Sequence, residues 1–293
     1  MSRYHIALTT AAAAAAAALL SACSPTEPKP WPSAGQAAAA PTSATVLPAG
    51  SPEKPAFTWQ DVTGQGVEAR RDSNPLTLAQ YGAVPVPGIQ VQHAENGEMH
   101  LCTIGPAVVP AMSQQVRGFL TAGHCAPAPG GVQQWLQHTP DGDPTPLAPA
   151  TGSGDTVAVW TAAVPTTATL IADTWPVAGV LTVAGVQQLV PEGAMVCVNG
   201  ARTGVKCGPR GTDEDGMITY DVATLQGDSG APVFVVDQQN RAVLVGIHQD
   251  GNGFRGFASY LDPALRSVRV QIAAGVAPLR GEGFSARTTA GNS

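Results

Sequence analysis

From Gly88 to Gln249 one pattern recurs: a short apolar or alternating run, then a glycine, proline or aspartate that stops it. The run GIQVQHA (Gly88 to Ala94) alternates and meets the turn ENG, and EMHLCTIGPAVV continues as its hairpin partner. Beyond it come VRGFLTAG, TVAVW, ATLIA, VAGVLTVAGV, GAMVCVNG, MITYDVA, APVFVV and AVLVGIHQ. Runs this short, closed by turn residues, make strands. The chain holds 33 Gly and 26 Pro but only 12% charged residues, which leaves little material for long solvated helices. One segment breaks the pattern. In LDPALRSVRVQIAAGV, Asp262 is suited to cap a helix, Pro263 to open it, and apolar residues recur at three and four. The expectation is an all-β sandwich or barrel with a C-terminal helix.

The flanks carry other information. Residues 1–22 hold one early basic residue, Arg3, and then a run of mostly Ala and Leu, the form of a secretory signal and too short for a confident membrane span. The run ends in LSAC, which resembles the bacterial lipoprotein box and would mark Cys23 for lipidation; the alternative is a plain signal peptide cleaved near Ala22, which would leave the protein secreted. Residues 23–75 are rich in Pro, Ala and Ser and read as a tether, residues 76–277 as the folded domain, and residues 278–293 as a flexible polar tail. A net charge of −6 without a basic cluster argues against nucleic acid. The contact with membrane would run through the lipid on Cys23, outside the cytoplasm. Setting Cys23 aside leaves Cys102, Cys125, Cys197 and Cys207, whose three possible pairings sequence does not separate. No Cys-x-x-Cys occurs, and neither metal nor cofactor is expected.

Three segments carry candidate chemistry. FLTAGHCA places His124 after a strand-like run, GSGDTVAVW places Asp155 on a turn before a strand, and LQGDSGAPVFVV places Ser229 between two glycines. A serine becomes nucleophilic when an imidazole takes its proton and an acid orients that imidazole. Asp141 and Asp143 are rivals for the acid, but TPDGDPTP is a proline-bracketed loop with no strand after it. A nucleophile elbow of the G-x-S-x-G kind is excluded, because Ala231 stands where its second glycine belongs and Pro232 opens a strand.

TAGHC and GDSG, in the order His, Asp, Ser, resemble the chymotrypsin-fold, trypsin-like serine proteases, over about Gly88 to Val276. VCVNGARTGVKCG is similar to a disulfide loop of the bacterial alpha-lytic and streptogrisin-like branch. The resemblance implies two packed six-stranded antiparallel β-barrels with a C-terminal helix, and disulfides Cys102 with Cys125 and Cys197 with Cys207. It implies His124 as general base, Asp155 as its orienting partner, Ser229 as nucleophile, and the N–H groups of Gly227 and Ser229 as oxyanion hole. Asp228 would be a buried acid; relatives hold it with an arginine where Val198 stands here, leaving Arg202 as the substitute. Ala223, Thr224 and His248 would shape the substrate pocket. The last two resemble the glutamyl endopeptidases and suggest an acidic side chain, with small or medium apolar ones as the rival preference. The implied function is a monomeric endopeptidase acting on peptide or protein. Its alternatives are a catalytically silent peptide-binding domain and an esterase.

Overall fold

A computed structural model describes residues 57–66, 85–95, 98–112, 117–126, 135–137, 145–147, 150–152, 154–161 and 164–290. Cys23, the leader, most of the tether, Asp141 and Asp143 lie outside the described residues.

The all-β expectation holds. Among the described residues, the strands form sheets of four, six and eight, with only two short α-helices. In the six-stranded sheet, Arg117–Ala122 pairs antiparallel with Thr156–Thr161 on one side and Ala107–Pro110 on the other. The four-stranded sheet contains the expected hairpin, Gln90–Glu95 against Glu98–Thr103. The eight-stranded sheet is built around Met195–Gly200, Pro232–Val236 and Ala242–Gly251. Two pairings depart from the antiparallel expectation. Trp175–Val180 runs parallel to Ala242–Gly251, and Val270–Ala274 runs parallel to Thr288–Ala290. Each parallel partner is joined through intervening chain, since a tight hairpin reverses direction.

The eight-stranded sheet is covered on both faces. Cys197, Phe234, Val236 and Leu244 point into one cluster with Leu261 and Leu265, while Val196, Val198, Val233, Val235, Val243 and Val245 point into another with Ile218 and Tyr220. Double burial is why PVFVV is apolar at every position instead of alternating. A third cluster around Ile89, Ile104, Phe119 and Val159 fills the other half of the domain.

The helices depart from expectation in three ways. The run VAGVLTVAGV is half strand and half helix: Trp175–Val180 is extended, and α1 (Val183–Leu189) follows, capped by Thr182, whose Oγ1 accepts from Gly185 N at 3.0 Å. The C-terminal helix, α2 (Leu261–Val268), starts two residues earlier than expected, with Tyr260 as its cap position. Asp262 therefore lies inside the first turn, where its buried carboxylate accepts from Ser285 Oγ at 2.5 Å and pairs with Arg266 at 2.6 Å.

Both domain boundaries also move. Residues 57–66, assigned to the tether, pack onto the domain: Gln60 N donates to Val236 O (2.9 Å), Gly64 N to Val205 O (3.0 Å), and Cys207 N to Thr63 Oγ1 (2.9 Å). Trp59 is 7% exposed and donates from Nε1 to Leu189 O at 2.6 Å, with Phe57 stacked on it at 5.3 Å. Residues 278–290, assigned to the loose tail, are docked as well. Leu279 N donates to Ala178 O (2.7 Å), Ser285 N to Val180 O (2.8 Å), and Phe284 packs against the second cluster. Irregular segments of this kind bury isolated residues and satisfy their backbone on other strands, so no periodicity announces them.

The strap has a measurable share in stability. Trp59→Ala should lower unfolding free energy by about 3 kcal/mol in urea, the usual cost of removing a buried aromatic ring. No shift in the midpoint would mean that residues 57–66 behave as free tether.

Candidate active site

His124 lies on a single 3₁₀ turn, Gly123–Cys125, at the end of strand Arg117–Ala122. Asp155 immediately precedes strand Thr156–Thr161. Because Ala122 pairs with Thr156, the two turns emerge at the same end of the sheet. Gly123 N donates to Asp155 O at 2.8 Å, and a Cβ on Gly123 would stand 1.7 Å from Gly154 O, so only glycine permits this approach. Cys125, buried beside His124, is disulfide-bonded to Cys102 on the neighbouring hairpin, and Cys197 is bonded to Cys207 directly opposite across its own hairpin. Of the three possible pairings, the structure takes the local one.

Ser229 arrives from the other half of the domain, on the turn leading into Pro232–Val236. Thr103 fastens that turn: its N–H donates to Ser229 O (2.8 Å), and its hydroxyl donates to Gly227 O (2.8 Å) while accepting from Ala201 N (3.0 Å). Thr103 O in turn accepts from Thr121 Oγ1 (3.0 Å), on the strand that leads to His124. The three segments thus converge through backbone and disulfide contacts. Their functional side chains do not yet join. Ser229 Oγ donates to Gln249 O at 3.0 Å, and among the described residues no hydrogen bond links the Ser229 hydroxyl, the His124 ring and the Asp155 carboxylate. Asp155 is exposed. Partial enclosure of the His124 ring lowers its pKa, and the Asp250 carboxylate works against that shift.

Sequence reasoning missed Gln249. The ladder between Ala242–Gly251 and Gly256–Tyr260 slips between His248 and Asp250, leaving Gln249 as the bulge residue. A bulge re-aims its side chain. Gln249 Nε2 donates to Asp155 O and to Ser259 Oγ, both at 2.8 Å, so one residue touches the serine turn with its carbonyl and the aspartate turn with its amide. Two glutamine-length contacts around an irregular ladder leave no local signature.

The turn before Ser229 is fixed by Asp228, which is fully buried. Its carboxylate accepts from Leu225 N (2.7 Å), Arg202 N (2.8 Å), Thr203 N (3.0 Å) and Thr203 Oγ1. Charge-assisted bonds from backbone amides satisfy the buried acid, and it is the main chain of Arg202 that meets it; the guanidinium reaches Gln226 O. Gly227 adopts φ +102°, open to glycine but strained for other residues. Among the described residues, the N–H groups of Gly227 and Ser229 have no acceptor.

Of the pocket residues, Ala223 is exposed, Thr224 is 7% exposed and His248 only 1%. The His248 ring is bonded within the core: Nδ1 lies 2.7 Å from Tyr220 OH. This histidine is a core residue with almost no solvent exposure. Burial pushes its pKa down to about 4, against the raising charge of Asp228 and Asp250. A histidine ordinarily titrates near 6.5. Between pH 6.5 and 4 the unfolded chain therefore binds the proton that the folded chain refuses, and stability falls as pH falls through that window. The loss should be on the order of 3 kcal/mol, by the usual 1.36 kcal/mol per pH unit. Urea midpoints between pH 7 and 4 should show it, and His248→Gln should flatten the slope; an unchanged slope would place the titration elsewhere.

No family model matches the chain. Two curated relatives, the uncharacterized proteins Rv1815 and MT1863 of Mycobacterium tuberculosis (strains ATCC 25618 / H37Rv and CDC 1551 / Oshkosh), are each 28% identical over 213 residues, covering 70% of this chain and 90% of theirs. Among solved structures, a glutamic acid specific serine protease with a histidine triad in substrate binding is 17% identical, with TM-score 0.46, over 64% of this chain and 100% of its own. Thermobifida fusca Protease A is 22% identical, with TM-score 0.47, over 66% and 100%.

Proposed function

We propose that the chain is an exported serine endopeptidase, held at the membrane by a lipid on Cys23, in which Ser229 is the nucleophile, His124 the general base and Asp155 its orienting partner. The observation that carries this reading is the convergence of three distant turns, through Gly123 N–H on Asp155 O and Thr103 N–H on Ser229 O. Two disulfides fit an oxidising compartment outside the cytoplasm. No helix among the described residues is long and apolar enough to cross a membrane.

In this reading the Ser229 hydroxyl turns from Gln249 O to the imidazole, exchanging one hydrogen bond for another at small net cost. His124 takes the proton as Oγ bonds to the scissile carbonyl carbon, and the resulting oxyanion accepts from Gly227 N–H and Ser229 N–H. The imidazolium gives its proton to the leaving amine, and water, deprotonated by His124, releases the acid from Ser229. Asp228 holds the N–H pair in place through Leu225 and Thr203. A second reading, a silent peptide-binding domain on this fold, is favoured by the contact of Ser229 Oγ with Gln249 O.

A fluorophosphonate probe separates the two. The full chain should be labelled covalently and Ser229→Ala should not; no label on the native chain, or equal label on both, defeats the enzyme. If peptide cleavage is found, kcat/KM should rise with pH along an acid limb whose midpoint lies below the ordinary 6.5 of histidine, because enclosure lowers the His124 pKa. Asp250→Asn removes the charge that raises it and should move the midpoint lower still. A midpoint that rises in the variant would mean that Asp250 does not act on His124 through its charge.

A further inference from the structure

The side chain of Gln249 has no part in the reaction steps above, yet it meets them at a single atom. The carbonyl oxygen of Asp155 accepts two hydrogen bonds, from Gly123 N and from Gln249 Nε2, both at 2.8 Å, which fills both of its lone pairs. The first bond ties Asp155 to the turn bearing His124. The second ties it to strand Ala242–Gly251, on which the Gln249 carbonyl accepts from the Ser229 hydroxyl at 3.0 Å. One side chain thus joins the Asp155 and His124 turns to the strand beside Ser229. The Asp155 carboxylate itself is exposed and has no hydrogen bond among the described residues. Asp155 is therefore fixed through its main chain, and among the described residues Gln249 is the side chain that bonds to it.

The amide is held in one orientation. It donates to Ser259 Oγ at 2.8 Å as well, with a longer contact to Ile247 O at 3.3 Å. Ile247 and Ser259 face each other across the ladder, so the amide is anchored on both strands of its hairpin. Turning it over would set its oxygen against the Asp155 carbonyl, acceptor against acceptor. The backbone supports the same reach, because the ladder slips at this residue and a bulge re-aims its side chain.

We propose that Gln249 is a positioning residue: its side-chain amide sets the Asp155 and His124 turns against the Ser229 strand, so that aspartate, imidazole and hydroxyl come into line when the hydroxyl leaves the Gln249 carbonyl. This role rests on the serine-enzyme reading given above. The amide touches no reacting atom and acts through Asp155. Its effect lies in distance, since a misplacement of about 1 Å can cost on the order of 10² in rate. A neutral hydrogen bond adds little to net stability, so the contact weighs more in the reaction than in the fold.

The test needs no identified substrate. The full chain is labelled with a fluorophosphonate over a range of probe concentrations, which separates the maximal labelling rate from the half-saturating concentration. Gln249→Met keeps the length of the side chain and the main-chain carbonyl but removes the donor. Its maximal rate should fall about tenfold to a hundredfold, with the half-saturating concentration within about twofold of the native value. Gln60→Met makes the same exchange on the strap, where the amide bonds Asp237 O at 2.5 Å and Asn240 Oδ1 at 3.1 Å, and it should leave both quantities unchanged. An unchanged maximal rate in Gln249→Met, an equal fall in Gln60→Met, or a change confined to the half-saturating concentration would overturn the positioning role and leave the enzyme standing. A native chain that takes no label would instead defeat the serine-enzyme reading, and the part of Gln249 with it.

Discussion

Thr103 is the knot on which the candidate site depends. It has no solvent exposure, and its three polar groups face three different pieces of chain: N–H and hydroxyl to the Ser229 turn, the same hydroxyl to Ala201, and the carbonyl to Thr121. A buried threonine whose hydroxyl both donates and accepts has no room for an apolar substitute, because two main-chain groups would be left dry and unpaired. Cys102, one residue before it, carries the disulfide that holds the His124 turn. Adjacent residues therefore hold the two turns, Cys102 the His124 turn by a covalent bond and Thr103 the Ser229 turn by hydrogen bonds.

Asp228 does the corresponding work on the far side of the Ser229 turn. A carboxylate deep in the protein is tolerable only if its oxygens are filled by donors, and here main-chain amides from Leu225, Arg202 and Thr203 fill them. Every one of those amides is thereby fixed in direction. Loops are ordinarily the softest parts of a fold. This one is stiffened by an acid that no solvent reaches.

The parts legible in the sequence were those in which a few neighbouring residues carry the information. TAGHC and GDSG are local, and so are the strands, because alternation or a closed apolar run is visible within six residues. The four cysteines left their pairing open, and the structure resolves it by placing Cys197 opposite Cys207 on a hairpin. What stayed hidden depends on distant partners. Trp59 is buried by a strand end and a helix end far along the chain, the region after Pro278 by the backbone of Trp175–Val180, and Gln249 turns inward only because its ladder slips. Thr182 is a helix cap in plain view, but the valines around it carry a strand's composition, and it took burial on one side of α1 to decide the matter. His248 misled for a related reason: its neighbours suggested a pocket wall, whereas the ring is buried and its Nδ1 is bonded to Tyr220.

The strap at residues 57–66 has a mechanical meaning. It crosses the second half of the domain, bonding to Val236 and Val205, and it ends against the hairpin clasped by Cys197 and Cys207. The chain that follows the leading segment is thus fastened to the domain by hydrogen bonds to Val236 and Val205 and against a hairpin closed by a covalent bond. Among the described residues, none of the strap's hydrogen bonds goes to the turns bearing His124 and Asp155, so the strap fastens the chain to the domain without engaging those turns.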